Sequence, residues 1–368
     1  MKLVLCTNNK YEDPFLHSQL LYIYENIEFI KEKILFCRNN KDNLEKVINI
    51  SYGKFSFFIY FLKLFLLVLK IDTKDTIFHV RGYVSGFIFF LVTRIIFWKK
   101  IFYIYDPRGA FVVELKESKF NNKENFLLKI LKYIEKSLIC SSFITIVTSD
   151  RFKELYSKEY GNDSKYLVLY NTSAFENYKF INRDVINKEI INICYMGSID
   201  FWHSLDEIVR VFKYLQDNIP NKTNIYFFTN FKDKELIIKE LNQASIENYY
   251  VGFVPYNEVQ TTLFNMDICI SIVVPTESQK IASPIKVSDY IQLNKIIVMN
   301  NNIGDFDNFF RKNNSAMIYD YGKELSFSFN DLLSLNIESN EVLKERLNIK
   351  TNIKQLLEVL RAFQYKSN

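Results

Sequence analysis

Short apolar runs alternate with stretches of helical periodicity along the chain, a pattern that predicts repeated parallel strand–helix units. In the first half, residues 3–6, 33–37, 76–79, 100–105, 143–148 and 165–169 read as strands, with helical stretches between them, including 123–137. Around residues 171–188 the pattern lapses into polar, irregular sequence, a candidate linker. The cycle then restarts, with strands expected at 190–195, 224–228, 249–253, 268–272, 295–299 and 316–318. Helices are expected at 205–215, 233–243, 257–265, 284–293 and 305–312, and a last helical region at 342–363. The expectation is an α/β protein of two Rossmann-like, doubly wound parallel-sheet domains facing across a cleft. They would span residues 1–175 and 186–351, with a helix at about 352–368 packing back on the first. Ligands of such sheets bind beyond the carboxyl ends of the strands.

Two stretches depart from ordinary amphipathic patterning. Residues 55–70 and 83–98 are almost wholly apolar, broken by Lys63 and Arg94, and shorter than the ~20 residues a bilayer span needs. Gly82 and Gly86 also have the small-xxx-small spacing of packed membrane helices. The favoured reading is two buried or surface-seated helices; peripheral attachment to a membrane is the alternative, and a spanning segment the weakest option. Residues 2–7 read as a first strand followed by a polar loop, not as a signal peptide.

Composition narrows the classes further. A hydrophobic fraction of 48% and a charged fraction of 24% over 368 residues fit a folded chain with room for two cores. Net charge is 47 − 42 = +5 without a basic stripe, which argues against a nucleic-acid partner. Five scattered cysteines read as reduced, buried thiols of a cytoplasmic protein. With three histidines, no metal site is expected. Glycine is scarce, 9 of 368 against a usual ~7%. No G-x-G-x-x-G and no P-loop can be assembled, so any phosphate must be held without a glycine-rich cradle.

A helix start offers such a site. Ser283 is expected as N-cap and Pro284 at the first helical position, with Lys286 adding charge to the free N–H groups of the first turn. Asp289 lies three residues on, placed to accept from a ribose diol or to pair with Lys286. A second candidate anion site is the turn at Gly197 and Ser198, followed by a capping box of Ser204 and Glu207. In the first half, His79-Val80-Arg81-Gly82 and Asp106-Pro107-Arg108-Gly109 each put an Arg-Gly pair after a strand, with Glu114 beyond the second. Buried ion pairs would explain these as well. Asp305-Phe306-Asp307 has the form of a metal–diphosphate doublet but reads as acidic first-turn residues of a helix.

Taken together, these segments resemble the GT-B glycosyltransferases, specifically retaining family 4, also called glycosyl transferases group 1. The resemblance is carried by Met196-Gly197-Ser198, residues 252–259, residues 266–271, Ser283-Pro284-Ile285-Lys286 through Asp289-Tyr290, and residues 295–298. Asp106-Pro107-Arg108-Gly109 with Glu114 is similar to the D-x-R-G…E segment of some members. Two features depart: the family's acidic pair keeps only its second member, Asp289, with Ile281 at the first position. The loop after Gly197 also lacks the usual Arg and Lys. The resemblance implies metal-independent, retaining transfer of a sugar from a nucleotide-diphosphate donor, with no cofactor besides that donor. Gly197, Ser198, Ser283, Pro284 and Lys286 would lie at the diphosphate, Asp289 at the ribose, and Phe253, Val254 and Pro255 near the base. His79, Arg81 and Arg108 would face an acceptor, and Lys286 would aid leaving-group departure. The greasy, basic helices fit a lipid-linked or oligosaccharide acceptor of a bacterial surface glycan such as lipopolysaccharide or capsule. That implies cytoplasmic localisation with peripheral contact at the inner membrane. A nucleotide-sugar 2-epimerase of the same fold and a non-catalytic membrane-associated binding protein are the alternatives.

Overall fold

The computed structural model describes residues 1–13, 16–38, 47–50, 55–120, 125–161, 165–173, 175 and 188–367, with backbone alone for 365–367. Most of the candidate linker, 174 and 176–187, lies outside the described residues, as do Gly53 and residues 123–124 of the predicted helix 123–137. The chain forms two compact units, Met1–Tyr170 with Ile349–Asn368, and Asn171–Asn348.

The first unit is a seven-stranded sheet in the order β3-β2-β1-β4-β5-β6-β7. Its strands are β1 Lys2–Lys10, β2 Glu32–Arg38, β3 Val47–Asn49, β4 Thr76–Arg81, β5 Phe102–Asp106, β6 Ile144–Val147 and β7 Tyr166–Val168. Every pairing is parallel. Strand β3, three residues at the edge of the sheet, was not expected. The helices are α1 Tyr22–Glu25, α2 Ser56–Lys70, α3 Tyr83–Ile95, α4 Phe111–Phe120, α5 Phe126–Ser141, α6 Asp150–Tyr160 and, from the far end of the chain, Ile349–Ser367.

Alternation along the strands divides two cores. Leu3, Leu5, Leu35, Ile77 and Ile104 pack with Ile23 and Tyr24 of α1 and with Leu356, Leu360 and Phe363. On the opposite face Phe36 stacks on Tyr60 of α2, with centroids 5.6 Å apart, and Phe78 meets Phe89 of α3 at 5.5 Å. Gly86 lets α3 approach closely: a Cβ there would lie 3.0 Å from the Tyr105 ring and 3.1 Å from Leu138 of α5. Gly86 therefore serves helix packing inside this unit, whereas Gly82, the N-cap of α3 at φ +78 with open space where a Cβ would lie, serves the turn into the helix.

The second unit is a six-stranded parallel sheet in the order β10-β9-β8-β11-β12-β13. Its strands are β8 Ile190–Met196, β9 Lys222–Phe228, β10 Tyr249–Gly252, β11 Ile268–Ser271, β12 Ile296–Asn300 and β13 Met317–Tyr319. Its helices are α7 Leu205–Asn218, α8 Lys234–Gln243, α9 Val259–Phe264, α10 Ile285–Gln292, α11 Phe306–Asn313, α12 Phe329–Leu333 and α13 Glu341–Arg346; Ile349–Ser367 is α14. In both sheets the winding reverses beside the first strand, between β1 and β4 and between β8 and β11. These are the topological switch points at which doubly wound sheets bind ligands.

Three expectations are corrected. The single helical region at 342–363 is two helices, because its apolar residues serve two cores: Leu343 and Leu347 in the second unit, Leu356, Leu360 and Phe363 in the first. The capping box of α7 is half formed. Ser204 accepts from the Glu207 N–H at 3.3 Å, but the Glu207 carboxylate is engaged by Arg210 at 2.6 and 2.9 Å and by the Gly322 N–H at 3.1 Å. Cys140 is exposed on α5, while the other four thiols are buried.

Candidate functional site

At the β8/β11 switch point, Tyr195 and Met196 end β8 and the chain turns at Gly197. Lys286, in the first turn of α10, lays its ammonium over the Tyr195 ring at 4.4 Å and donates to the Tyr195 hydroxyl at 3.3 Å. The hydroxyl in turn donates to the Ser198 carbonyl at 3.1 Å. A Cβ on Gly197 would lie 2.8 Å from the Lys286 Nζ and 3.0 Å from the Tyr195 hydroxyl, so glycine is what admits the ammonium to this turn. Sequence separates Gly197 and Lys286 widely; the fold brings them into contact.

The 198–204 loop is tied around Asp200. Its carboxylate accepts from the Ser198 hydroxyl at 3.1 Å, the Trp202 N–H at 3.0 Å and His203 Nδ1 at 2.7 Å. Burial would raise Asp200, but His203 and these hydrogen bonds outweigh it and hold the carboxyl below its usual range. Burial and the neighbouring Lys286 charge lower His203, against the opposing effect of Asp200. Burial pulls Lys286 itself down to about 8, opposed by Asp200. Tyr195 belongs to the expected anion-site turn, whereas Asp200 and His203 are not among the residues that sequence reasoning singles out. Their signal was available: an aspartate and a histidine three apart in the loop that follows a central strand.

Helix α10 begins one residue later than expected. Pro284 is the N-cap, and among the described residues no side chain caps the first turn. Ser283 is instead occupied by the chain entering this unit: its hydroxyl accepts from the Asn171 N–H at 3.3 Å and its carbonyl from the Asn171 amide at 2.7 Å. The Val287 N–H donates to the Pro284 carbonyl at 3.1 Å, and the start of the helix dipole lies beside Lys286, where it favours an anion. Gly304 wedges against the preceding turn, with φ +50 and a would-be Cβ 1.9 Å from the Ala282 carbonyl oxygen.

Asp289 does not pair with Lys286. Its carboxylate accepts from the Ser173 hydroxyl at 2.6 Å, and burial, partly offset by that bond, pushes it up to about 7. Phe253, Val254 and Pro255 follow β10 at the sheet edge, two strands from β8, with Phe253 half exposed and its ring 5.6 Å from Phe231. The structure thus gathers Gly197, Ser198 and Lys286 at one point, puts Ser283, Pro284 and Asp289 along the same helix, and leaves Phe253–Pro255 apart. Asp307 sits in the first turn of α11 and accepts from the Asn302 N–H at 3.0 Å.

In the first unit, His79 and Arg81 lie on β4 at the β1/β4 switch point and are buried. Both converge on Asp106 of β5, Arg81 Nη1 donating at 3.0 Å and His79 Nε2 lying at 3.4 Å, while Tyr24 holds His79 Nδ1 at 2.5 Å. Burial opposes ionisation of Asp106, but Arg81, His79 and Arg108 together keep its carboxyl well below the usual range. Burial and the Arg108 charge bring Arg81 down to about 10, and burial lowers His79. Arg108 acts on this network through its charge, from a half-buried position in a left-handed conformation at φ 71. Glu114 folds over Gly109, where a Cβ would meet its carboxylate at 2.2 Å, and burial followed by the Glu117 charge raises it.

Comparison with solved structures decides the architecture. HepE from Anabaena, solved with UDP and glucose, superposes with a TM-score of 0.69 at 11% identity, covering 98% of this chain and 100% of its own. The fold is GT-B. Sucrose-phosphate synthase from Thermosynechococcus elongatus gives 0.71 at 11% identity with full coverage of both chains. WaaG, a glycosyltransferase involved in lipopolysaccharide biosynthesis, gives 0.60 at 11% identity over 99% of this chain and 94% of its own. No protein-family profile and no curated protein sequence matches the chain.

Proposed function

We propose that this GT-B protein is a glycosyltransferase that moves a sugar from a nucleoside-diphosphate donor to an acceptor hydroxyl. The observation that carries the reading is the Lys286 ammonium seated against Gly197 at the β8/β11 switch point, beside an uncapped helix start. The structural likeness to HepE, which was solved with UDP-glucose, favours a donor of this class. In this reading the Gly197–Ser198 turn, Pro284 and Lys286 face the diphosphate, Ser283, held by Asn171, positions the helix start beside it, and Asp289 takes the ribose. Phe253, Val254 and Pro255 lie toward the base. Bond breaking at the anomeric carbon leaves negative charge on the departing diphosphate. Lys286 and the α10 dipole supply fixed positive potential there without reorganisation, so the leaving group departs more easily. The donor is the only small molecule the reading requires besides the acceptor.

The acceptor side is assigned to the first unit, with Arg108 and the His79–Arg81–Asp106 network at its switch point. The sequence resemblance to retaining family 4 favours retention of configuration. The apolar, basic helices of the first unit favour a lipid-linked glycan acceptor presented at the cytoplasmic face of a bacterial inner membrane. Thermal-shift screening against UDP-, GDP-, CMP- and dTDP-sugars tests the donor site: one nucleotide should raise the unfolding temperature, and Lys286→Ala should remove the effect. No stabilisation by any of them overturns the reading. Formation of a C2 epimer from the donor without acceptor would replace it with epimerase chemistry.

A further inference from the structure

Helix α2 is apolar on two sides. Tyr60, Leu64 and Val68 face inward and are buried, Tyr60 against Phe36 of the sheet. Phe55, at its N-cap, and Phe58, Leu62, Leu66 and Leu69 form a second stripe at helical spacing, and all five are exposed, Phe55 by 74% and Phe58 by 57%. Helices with apolar residues all round normally belong inside a core or a bilayer. Among the described residues no helix is long and apolar enough to cross a membrane, and 15 residues reach only about 22 Å.

The stripe continues beyond its own helix. Lys99 donates to the carbonyls of Val68, Leu69 and Ile71, which fastens the turn after α3 to the end of α2. That turn carries Phe97 and Trp98, exposed by 80% and 61%, with their rings 5.5 Å apart. Phe57 meets Phe87 of α3, and Arg94 of α3 donates to Ser137 of α5, so the three helices form one layer. At the start of α5, Phe126 is exposed by 79%.

Charge on this layer is one-sided. Residues 55–70, 83–100 and 126–141 hold Lys63, Lys70, Arg94, Lys99, Lys100, Lys129, Lys132 and Lys136 against the single acid Glu135, and of these cations Lys132 is paired with Glu159 of the neighbouring α6. Glu135 is buried, with its carboxylate accepting from Tyr156 and Tyr160. An apolar stripe edged by cations matches the acyl–headgroup boundary of an anionic leaflet, with Trp and Phe at the depth aromatic side chains favour. A second copy is a poor occupant, because a two-fold interface would set these cations against themselves.

We infer that the outward face of α2 and the Phe97–Trp98 turn seat this protein on an anionic lipid surface. This deepens the lipid-linked acceptor reading and rests on it for why the reaction would need a bilayer, though the surface lies wholly in the first unit. The test is sedimentation of the full chain with phosphatidylcholine vesicles with and without 30% phosphatidylglycerol. Binding is expected to the anionic vesicles, weakening at high salt, with brominated lipid quenching fluorescence that Trp98→Phe lacks. Leu62→Glu with Leu66→Glu should weaken binding at least tenfold, while Trp98→Ser provides a second variant if that pair misfolds. The thermal shift given by UDP should survive in all variants that fold. Equal binding to neutral vesicles, no binding at all, or a dimer dissolved by Leu66→Glu would overturn the inference. In each case a retained UDP shift would leave the donor-site reading standing.

Discussion

At the scale of single residues, the second unit's site rests on contacts that tolerate little change. Gly197→Ala sets a methyl 2.8 Å from the Lys286 Nζ and 3.0 Å from the Tyr195 hydroxyl, so the ammonium, at the end of a flexible side chain, must move off the turn. Nucleoside-diphosphate affinity should fall at least tenfold by calorimetry, with the unfolding temperature of the unliganded protein moved little. Lys286 sets a pH dependence. Burial has brought it to about 8, so its charge, and with it anion affinity, is present below that pH and lost as pH rises through it. The dissociation constant should rise about tenfold per pH unit above 8, and Lys286→Met should flatten the profile. Asp289 runs the other way. Raised to about 7 from a usual value near 4, it costs stability once ionised, a cost that grows as pH rises through 4–7 and is fully present above 7. Asp289→Asn should therefore gain on the order of 1 kcal/mol at pH 8 in urea unfolding. If the carboxylate takes the ribose, the same variant should bind nucleotide more weakly.

At the scale of elements, α10 is the part on which the donor reading turns, and Gly304 fixes where it starts. Alanine there meets both a left-handed backbone and the Ala282 carbonyl. Gly304→Ala should lose about 2 kcal/mol or more and weaken nucleotide binding together, read by parallel melting and titration. The same helix shows how far sequence carries. Ser283-Pro284 announced a helix start within one residue, and the alternating apolar runs placed the strands of both sheets, apart from the three residues of β3. The half-formed box of α7 was not legible, because Glu207 had a stronger partner in Arg210 nearby and another in the distant Gly322 N–H. Nor was the engagement of Ser283 by Asn171 and Asp289 by Ser173, since contacts more than a hundred residues apart leave no local periodicity. Gly197 and Lys286 were each readable as anion-binding positions; that one exists to admit the other was not.

At the scale of the whole molecule, two units with separate cores should unfold separately. Phe363 packs edge-on against Phe102 and Phe143, with centroids 5.2 and 6.1 Å away, in the core of the first unit. Phe363→Ala should cost about 3–5 kcal/mol. In calorimetry it should lower one transition and leave the other in place, whereas a bound nucleotide should raise the transition that Phe363→Ala spares.

The return of the chain to its first unit also orders events on the ribosome. Seven strands and their early helices emerge first, yet the slot for Leu356, Leu360 and Phe363 stays open until some 180 further residues have been made. At about 5–20 residues per second, that gap lasts roughly 10–35 seconds. The second unit, contiguous from Asn171 to Asn348, can close meanwhile. The first unit is thus completed after the second, and during that interval the part of its sheet face that Leu356, Leu360 and Phe363 will cover is open to chaperones and to aggregation.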